Sequence, residues 1–131
     1  MTKYVLGFAF DRDHNTVLIR KARPAWQKGR LNGIGGHIEA GETPHDAMVR
    51  EFREETGHEI PVWDEVAFLE GEKWQMWVFR GYGDVSKCRT TTDEPIQVVS
   101  AFRLPAGCIE NLYWLVPLCI QPPATYRVRV N

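Results

Sequence analysis

Residues 43 to 57 constrain this chain more than any other stretch. Thr43-Pro44-His45-Asp46 is a helix start: threonine offers an N-cap oxygen, proline fits the first helical position, and an acidic residue falls in the first turn. Gly57 supplies the stop. Wound at about 100° per residue, the segment puts Met48, Val49, Phe52 and Thr56 on one side and Glu51, Glu54 and Glu55 on another. The chain must therefore cover the first face with a core and find a use for the second. Directly upstream, Asn32-Gly33-Ile34-Gly35-Gly36 reads as a loop whose backbone is free to adopt φ > 0 or to approach a ligand closely.

The flanking sequence supplies the core. Tyr4 to Phe10 and Thr16 to Arg20 are β-rich runs around the polar cluster Asp11-Arg12-Asp13-His14-Asn15, which predicts an antiparallel hairpin. Strands are expected over 62–70 and 73–82, joined at Gly71-Glu72, and over 96–104, after a polar segment from Gly83 to Pro95. Residues 109–120 have helix-like apolar density stopped by Pro122-Pro123, and 125–130 form a last short strand. With 131 residues, this predicts one α+β domain on a mixed sheet.

Charge and composition exclude several functions. Sixteen basic against 17 acidic residues leave a net charge of −1, no footprint for duplex nucleic acid, so any polyanion handled is small. The longest charge-free stretch, Asn111 to Tyr126, is too short for a membrane anchor and is interrupted by Pro117, Pro122 and Pro123. The N-terminus lacks a signal-peptide pattern, so a cytoplasmic location is expected. Cys88, Cys108 and Cys119 are odd in number without metal-ligand spacing, and His14, His37, His45 and His58 form no His-x-x-x-His pair; the thiols read as structural and reduced.

The carboxylate face needs compensation. Like charges three or four residues apart cost roughly 0.2–0.5 kcal/mol per pair in an isolated helix. Arg50 and Arg53 could offset this on a solvated charged face. Alternatively, Glu51 and Glu55, one turn apart with Glu54 beside them, can converge on a hard divalent cation, Mg²⁺ or Mn²⁺. The glycine cluster could then seat a metal-bound diphosphate against the same helix.

Gly36, five residues, Glu42, seven residues, then Arg50-Glu51-Phe52, Glu54-Glu55 and Gly57 closely resemble the signature of the Nudix hydrolases. The departure is His58, where that family usually has an aliphatic residue and whose packing Ile60 could take over. The resemblance implies a Nudix-type α/β/α sandwich over residues 1–131 and Mg²⁺-dependent hydrolysis of a nucleoside diphosphate-linked substrate, with Mn²⁺ a substitute. Carried over by position, the Gly36 carbonyl, Glu51, Glu54 and Glu55 would hold metal, Arg50 would orient a catalytic glutamate, and Glu42 and Gly57 would brace the box. The general base would be a box glutamate or a loop carboxylate, Asp93 or Glu94, counted back from Ala101-Phe102-Arg103-Leu104.

Residues 29–36 further resemble the loop of the MutT-type triphosphatase branch, which implies a base contact from Asn32 and substrate contacts at Gly35 and His37. Trp26, Trp74, Trp77 and Trp114 could supply a stacking wall; strand parity leaves one of Trp74 and Trp77 facing outward, and Trp77 is the one assigned to substrate. Trp114 has no adjacent Asp pair, which argues against a dedicated 8-oxoguanine reader. The expected reaction is (d)NTP to (d)NMP plus pyrophosphate by a monomer or homodimer. The alternatives are hydrolysis of ADP-ribose, a nucleotide sugar or a dinucleoside polyphosphate, or a non-catalytic nucleotide sensor.

Overall fold

Helix α1 (Pro44–Thr56) forms between the caps its sequence offers: Thr43 Oγ1 accepts the Asp46 amide at 3.1 Å, and Gly57, at φ 69°, returns its N–H to the Arg53 carbonyl. The computed structural model describes residues 1–121 and 124–131. Around α1 lie strands β1 (Thr2–Phe10), β2 (Asn15–Arg20), β3 (Leu31–Asn32), β4 (Ile34–His37), β5 (Trp63–Glu70), β6 (Trp74–Tyr82), β7 (Ile96–Ser100) and β8 (Tyr126–Arg129), with a second helix, α2 (Leu112–Ile120). Among the described residues no helix is long and apolar enough to cross a membrane.

The sheet runs β3-β2-β1-β6-β5-β8, with β4 added to β1 and β7 to β2. β1 pairs in parallel with β6 and β5 with β8, while β1–β2, β1–β4, β2–β7 and β5–β6 are antiparallel, so the sheet is mixed as expected. Period-two alternation along β1 builds both cores. Val5 and Ala9 pack with Met48 and Phe52 of α1, while Leu6, Phe8 and Phe10 pack with Leu112, Leu115 and Val116 of α2. Because helices cover both faces, β1 reads as a continuous hydrophobic run. Ile60 is buried in the α1-side core, where it takes the packing that His58 does not supply.

Three boundaries differ from expectation. The glycine run is sheet, not loop: β4 lies against β1 with Val5 opposite Gly36 and Leu6 opposite Gly35, and a Cβ at Gly35 would fall 2.0 Å from the Val5 carbonyl oxygen. The glycines serve close packing here. The strand expected over 96–104 ends at Ser100, where the Arg103 amide turns back to the Ser100 carbonyl at 3.1 Å. The second helix begins at Leu112, because Leu31 bridges Cys108 and the Ile109 amide donates to the Leu31 carbonyl at 2.8 Å, which keeps the chain extended. The stop expected at Pro122-Pro123 lies outside the described residues.

All three cysteines are unpaired; Cys108 and Cys119 are buried, and burial pushes the Cys119 thiol up to about 12. They are packing residues, as the sequence suggests.

Candidate active site

The carboxylate face of α1 looks onto β4 and is organised by one guanidinium. Arg50 donates twice to Glu42 (Nε to Oε2 at 2.7 Å, Nη2 to Oε1 at 2.9 Å), to Glu51 Oε1 at 2.9 Å, to Glu54 Oε2 at 3.2 Å and to the His37 carbonyl at 3.1 Å. Glu39 adds a fourth carboxylate at 3.7 Å. The bond from Arg50 holds the Glu42 carboxyl below its ordinary range, and Glu42 also accepts the Glu39 amide at 2.9 Å. Glu42 thus fastens the β4–α1 loop to the helix. Near Gly57 the constraint is different: a Cβ there would lie 2.6 Å from Arg89 Cζ.

Two helix carboxylates are held against their preference. Burial, with repulsion from Glu54 and Glu39, raises the Glu51 carboxyl despite Arg50. Burial, with Glu51 and Glu94 nearby, pushes Glu55 up to about 8, although the Lys21 ammonium and the Gly35 amide work the other way. Glu55 Oε2 is buried with no hydrogen-bond partner. A Cβ at Gly36 would fall 2.5 Å from Glu51 Oε1, so only glycine leaves room for that carboxylate against the strand. An orphaned carboxylate oxygen beside a second raised carboxylate, at a bare backbone, fits a hard cation. Among the described residues no three His, Cys, Asp or Glu side chains converge closely enough to cage an ion by themselves. Arg50 already holds Glu51 and Glu54, and an ion such as Mg²⁺ keeps several waters.

The loop carboxylates separate cleanly. The segment after β6 is tied to the end of α1 by Arg89 N to the Thr56 carbonyl at 2.9 Å and Thr91 Oγ1 to the Glu54 carbonyl at 2.5 Å. It delivers Glu94 inward, 6% exposed and electrostatically coupled to Glu55. Burial opposes the Glu94 charge, but the Ala22 amide and the Lys21 ammonium overcome it and hold the carboxyl below its ordinary range. Asp93 points outward, its side chain 64% exposed and paired with Arg23.

The proposed substrate contacts scatter. Asn32 Nδ2 donates to Gln27 Oε1 at 3.0 Å and its Oδ1 accepts the Gly33 amide at 2.8 Å, which fixes the amide's orientation. Gly35 lies near enough to Glu55 for its amide to favour the carboxylate. The exposed His37 ring packs on Tyr4 at 4.7 Å, and it is the His37 carbonyl that meets Arg50. Trp77 stands beside Pro44, with Lys3 and Ile38 lining the same 340 Å³ cavity, at the far end of α1 from Glu55. Eleven residues of helix separate those ends by about 16 Å. Neither Trp74 nor Trp77 presents a bare outward face: Trp74 packs on the α2 side and Trp77 on the α1 side. Trp26, 64% exposed next to Gln27, is the tryptophan nearest Asn32 in the chain. Sequence reasoning missed Lys21, Glu39, Gln27 and Thr91. Only the cationic run Arg20-Lys21-Ala22-Arg23 at the end of β2 hinted at the first of them.

The NUDIX domain family matches residues 2–106. The 8-oxo-dGTP diphosphatase of Escherichia coli K12 is 38% identical over 52 residues, 40% of either chain, so the match spans less than half of that relative. Among solved structures, a NUDIX hydrolase from Nitrosomonas europaea superposes with a TM-score of 0.76 at 16% identity, covering 99% of this chain and 78% of that one. A structure from work on MutT of Aliivibrio salmonicida and Vibrio cholerae gives 0.72 at 20% identity, covering 88% and 97%. These likenesses show the fold, and the family match covers most of the chain together with the helix and glycine strand that build the site. The chain therefore belongs to the Nudix hydrolase family.

Proposed function

We propose that this chain, acting as one domain, hydrolyses nucleoside triphosphates to the monophosphate and pyrophosphate with a divalent cation, Mg²⁺ or Mn²⁺. The observation that carries this reading is Glu55 Oε2, buried and unpartnered, on the helix face where Glu51 packs against the bare backbone of Gly36. Glu51, Glu54, Glu55 and the Gly36 carbonyl are the groups to hold the cation. Bound there, it would neutralise phosphate charge and lower the pKa of an attacking water. Arg50 sets the rotamers of Glu51 and Glu54. Glu94, buried and close enough to Glu55 to raise its carboxyl, is the loop carboxylate we assign to accept the proton of the water, in preference to Asp93, which is exposed and paired with Arg23.

The MutT-type substrate rests on the loop from Gly29 to Gly36 and on the partial similarity to the E. coli 8-oxo-dGTP diphosphatase. Asn32, held by Gln27 and Gly33, keeps a free donor hydrogen and a free acceptor lone pair for a base edge. Product analysis over (d)NTPs, 8-oxo-dGTP, ADP-ribose and diadenosine polyphosphates tests this reading. Pyrophosphate released from triphosphates supports it, and turnover confined to ADP-ribose or dinucleotides contradicts it.

The two loop carboxylates give a sharper expectation. Glu94→Gln lowers kcat roughly 10²-fold, the usual scale of a positioned proton acceptor. Asp93→Asn, which breaks only an exposed ion pair, changes kcat by less than about threefold. Steady-state kinetics on both variants decide, and equal losses would return Asp93 to the site.

A further inference from the structure

Glu94 is the least exposed acidic residue among the described residues, at 6%. A buried carboxylate keeps its charge only when paired and hydrogen-bonded. Its oxygens take three donors: Lys21 Nζ on Oε1 at 3.2 Å, and on Oε2 the Ala22 amide at 2.7 Å and the Arg23 amide at 3.4 Å. Arg23 Nη1 is 3.9 Å away, 63% exposed and engaged with Asp93. Lys21 is therefore the only side-chain cation within hydrogen-bonding distance of Glu94 among the described residues. Its own side chain is 18% exposed.

The backbone around Lys21 leaves little freedom. The Lys21 amide donates to the Arg30 carbonyl at 2.9 Å, the Gly29 amide returns to the Lys21 carbonyl at 2.7 Å, and Arg20 Nη1 reaches the Gly29 carbonyl at 2.8 Å. The end of β2 is thus a fixed platform. From it, one ammonium and two amides grip a carboxylate that arrives on a separate loop, and the same ammonium acts electrostatically on Glu55.

We infer that Lys21 is a positioning residue for the reaction, fixing the Glu94 carboxylate in place on the end of β2. The inference rests on the proposed hydrolysis and extends it to a residue outside the Nudix signature. Lys21 acts through Glu94 and not on the substrate, so its loss should appear in kcat and leave KM nearly unchanged.

The test is a double-mutant cycle with a second, activity-independent reading. Lys21→Met should lower kcat to a similar degree as Glu94→Gln, roughly 10²-fold. Lys21→Arg, which keeps a cation in reach, should recover most of the loss. In the Glu94→Gln background, Lys21→Met should cost less than about twofold more, because its partner is already gone. Independently, the Ala22 amide proton, downfield in the wild type from its short bond to Glu94, should move upfield in Lys21→Met and stay in Lys21→Arg. If Lys21→Met raises KM with kcat intact, or costs as much in the Glu94→Gln background as alone, Lys21 meets the substrate directly and the inference is wrong. An unmoved Ala22 amide in Lys21→Met overturns it as well. A wild-type protein that turns over no nucleotide instead removes the functional reading, while the Ala22 resonance still decides whether Lys21 holds Glu94.

Discussion

Replacing Glu55 by Gln should lower kcat about 10³-fold, the scale seen when one preorganised electrostatic group is removed from a reacting centre. The same change should make the metal-free protein more stable. Glu55 is the helix carboxylate whose Oε2 is buried without a partner, and its carboxyl is pushed up to about 8 by burial and by Glu51. An acid whose folded pKa lies above its unfolded value binds its proton more tightly when folded. Below the unfolded value it costs nothing, and as pH rises toward the folded value the unfolded chain ionises first and stability falls. The stability advantage of Glu55→Gln should therefore be small near about pH 4 and reach its full size, on the order of a few kcal/mol, above about pH 8. Adding Mg²⁺ should narrow the gap and, near about a thousandfold its Kd, where a ligand stabilises the wild type by about 4 kcal/mol, close or reverse it. Thermal melts with and without chelator, at acid and alkaline pH, check all of this. A variant less stable than wild type in chelator at alkaline pH contradicts the reading of Glu55 as a strained, metal-seeking group.

Removing Arg50 should damage both stability and catalysis. Its guanidinium bonds to Glu42, Glu51, Glu54 and the His37 carbonyl, and those carboxylates hold its own pKa well above the ordinary arginine value. Arg50→Ala leaves Glu39, Glu42, Glu51 and Glu54 around a vacant centre, with Glu42 and Glu51 only partly accessible. Breaking one side of a partly buried pair typically costs about 3–5 kcal/mol. For a domain of this size that is a loss of roughly 10 °C or more in Tm. Catalysis should fall with it, since Glu51 and Glu54 lose the contact that sets their orientation. Arg50→Lys should recover charge but not the paired hydrogen bonds to Glu42, and so give an intermediate Tm. Calorimetry on the metal-free proteins measures the effect; a Tm within about 2 °C of wild type for Arg50→Ala would mean the network contributes only what exposed ion pairs do.

The signature helix was legible because every signal is local: Thr43, Pro44 and Gly57 fix its ends, and a 3.6-residue period separates Phe52 from Glu55. The mixed sheet followed from the apolar runs and its two helix layers from the Nudix resemblance, and most strands lie within two residues of expectation. What failed depended on distant partners. The glycine cluster reads as loop in isolation, yet its backbone lies against Val5 and Leu6, some 30 residues earlier in the chain. The start of α2 was misplaced because Leu31 holds Cys108 and Ile109 extended. The site divides along the same line. Glu42, Arg50, Glu51, Glu54 and Glu55 come together through one helix and its preceding loop. Glu94 could be separated from Asp93 only by the fold, which turns one inward to the Ala22 amide and the other out to Arg23. Strand parity does not choose between Trp74 and Trp77 and gives no position along α1; the structure puts Trp77 beside Pro44.

The most direct measurement of the central claim is the product of turnover, with Mg²⁺ and a panel of deoxynucleoside and ribonucleoside triphosphates, using Glu55→Gln as the blank. The account predicts equal amounts of monophosphate and pyrophosphate from at least one triphosphate, about 10³-fold more slowly from Glu55→Gln, and none from wild type in chelator. Orthophosphate with diphosphate as the product, or turnover that Glu55→Gln leaves near the wild-type rate, would contradict it.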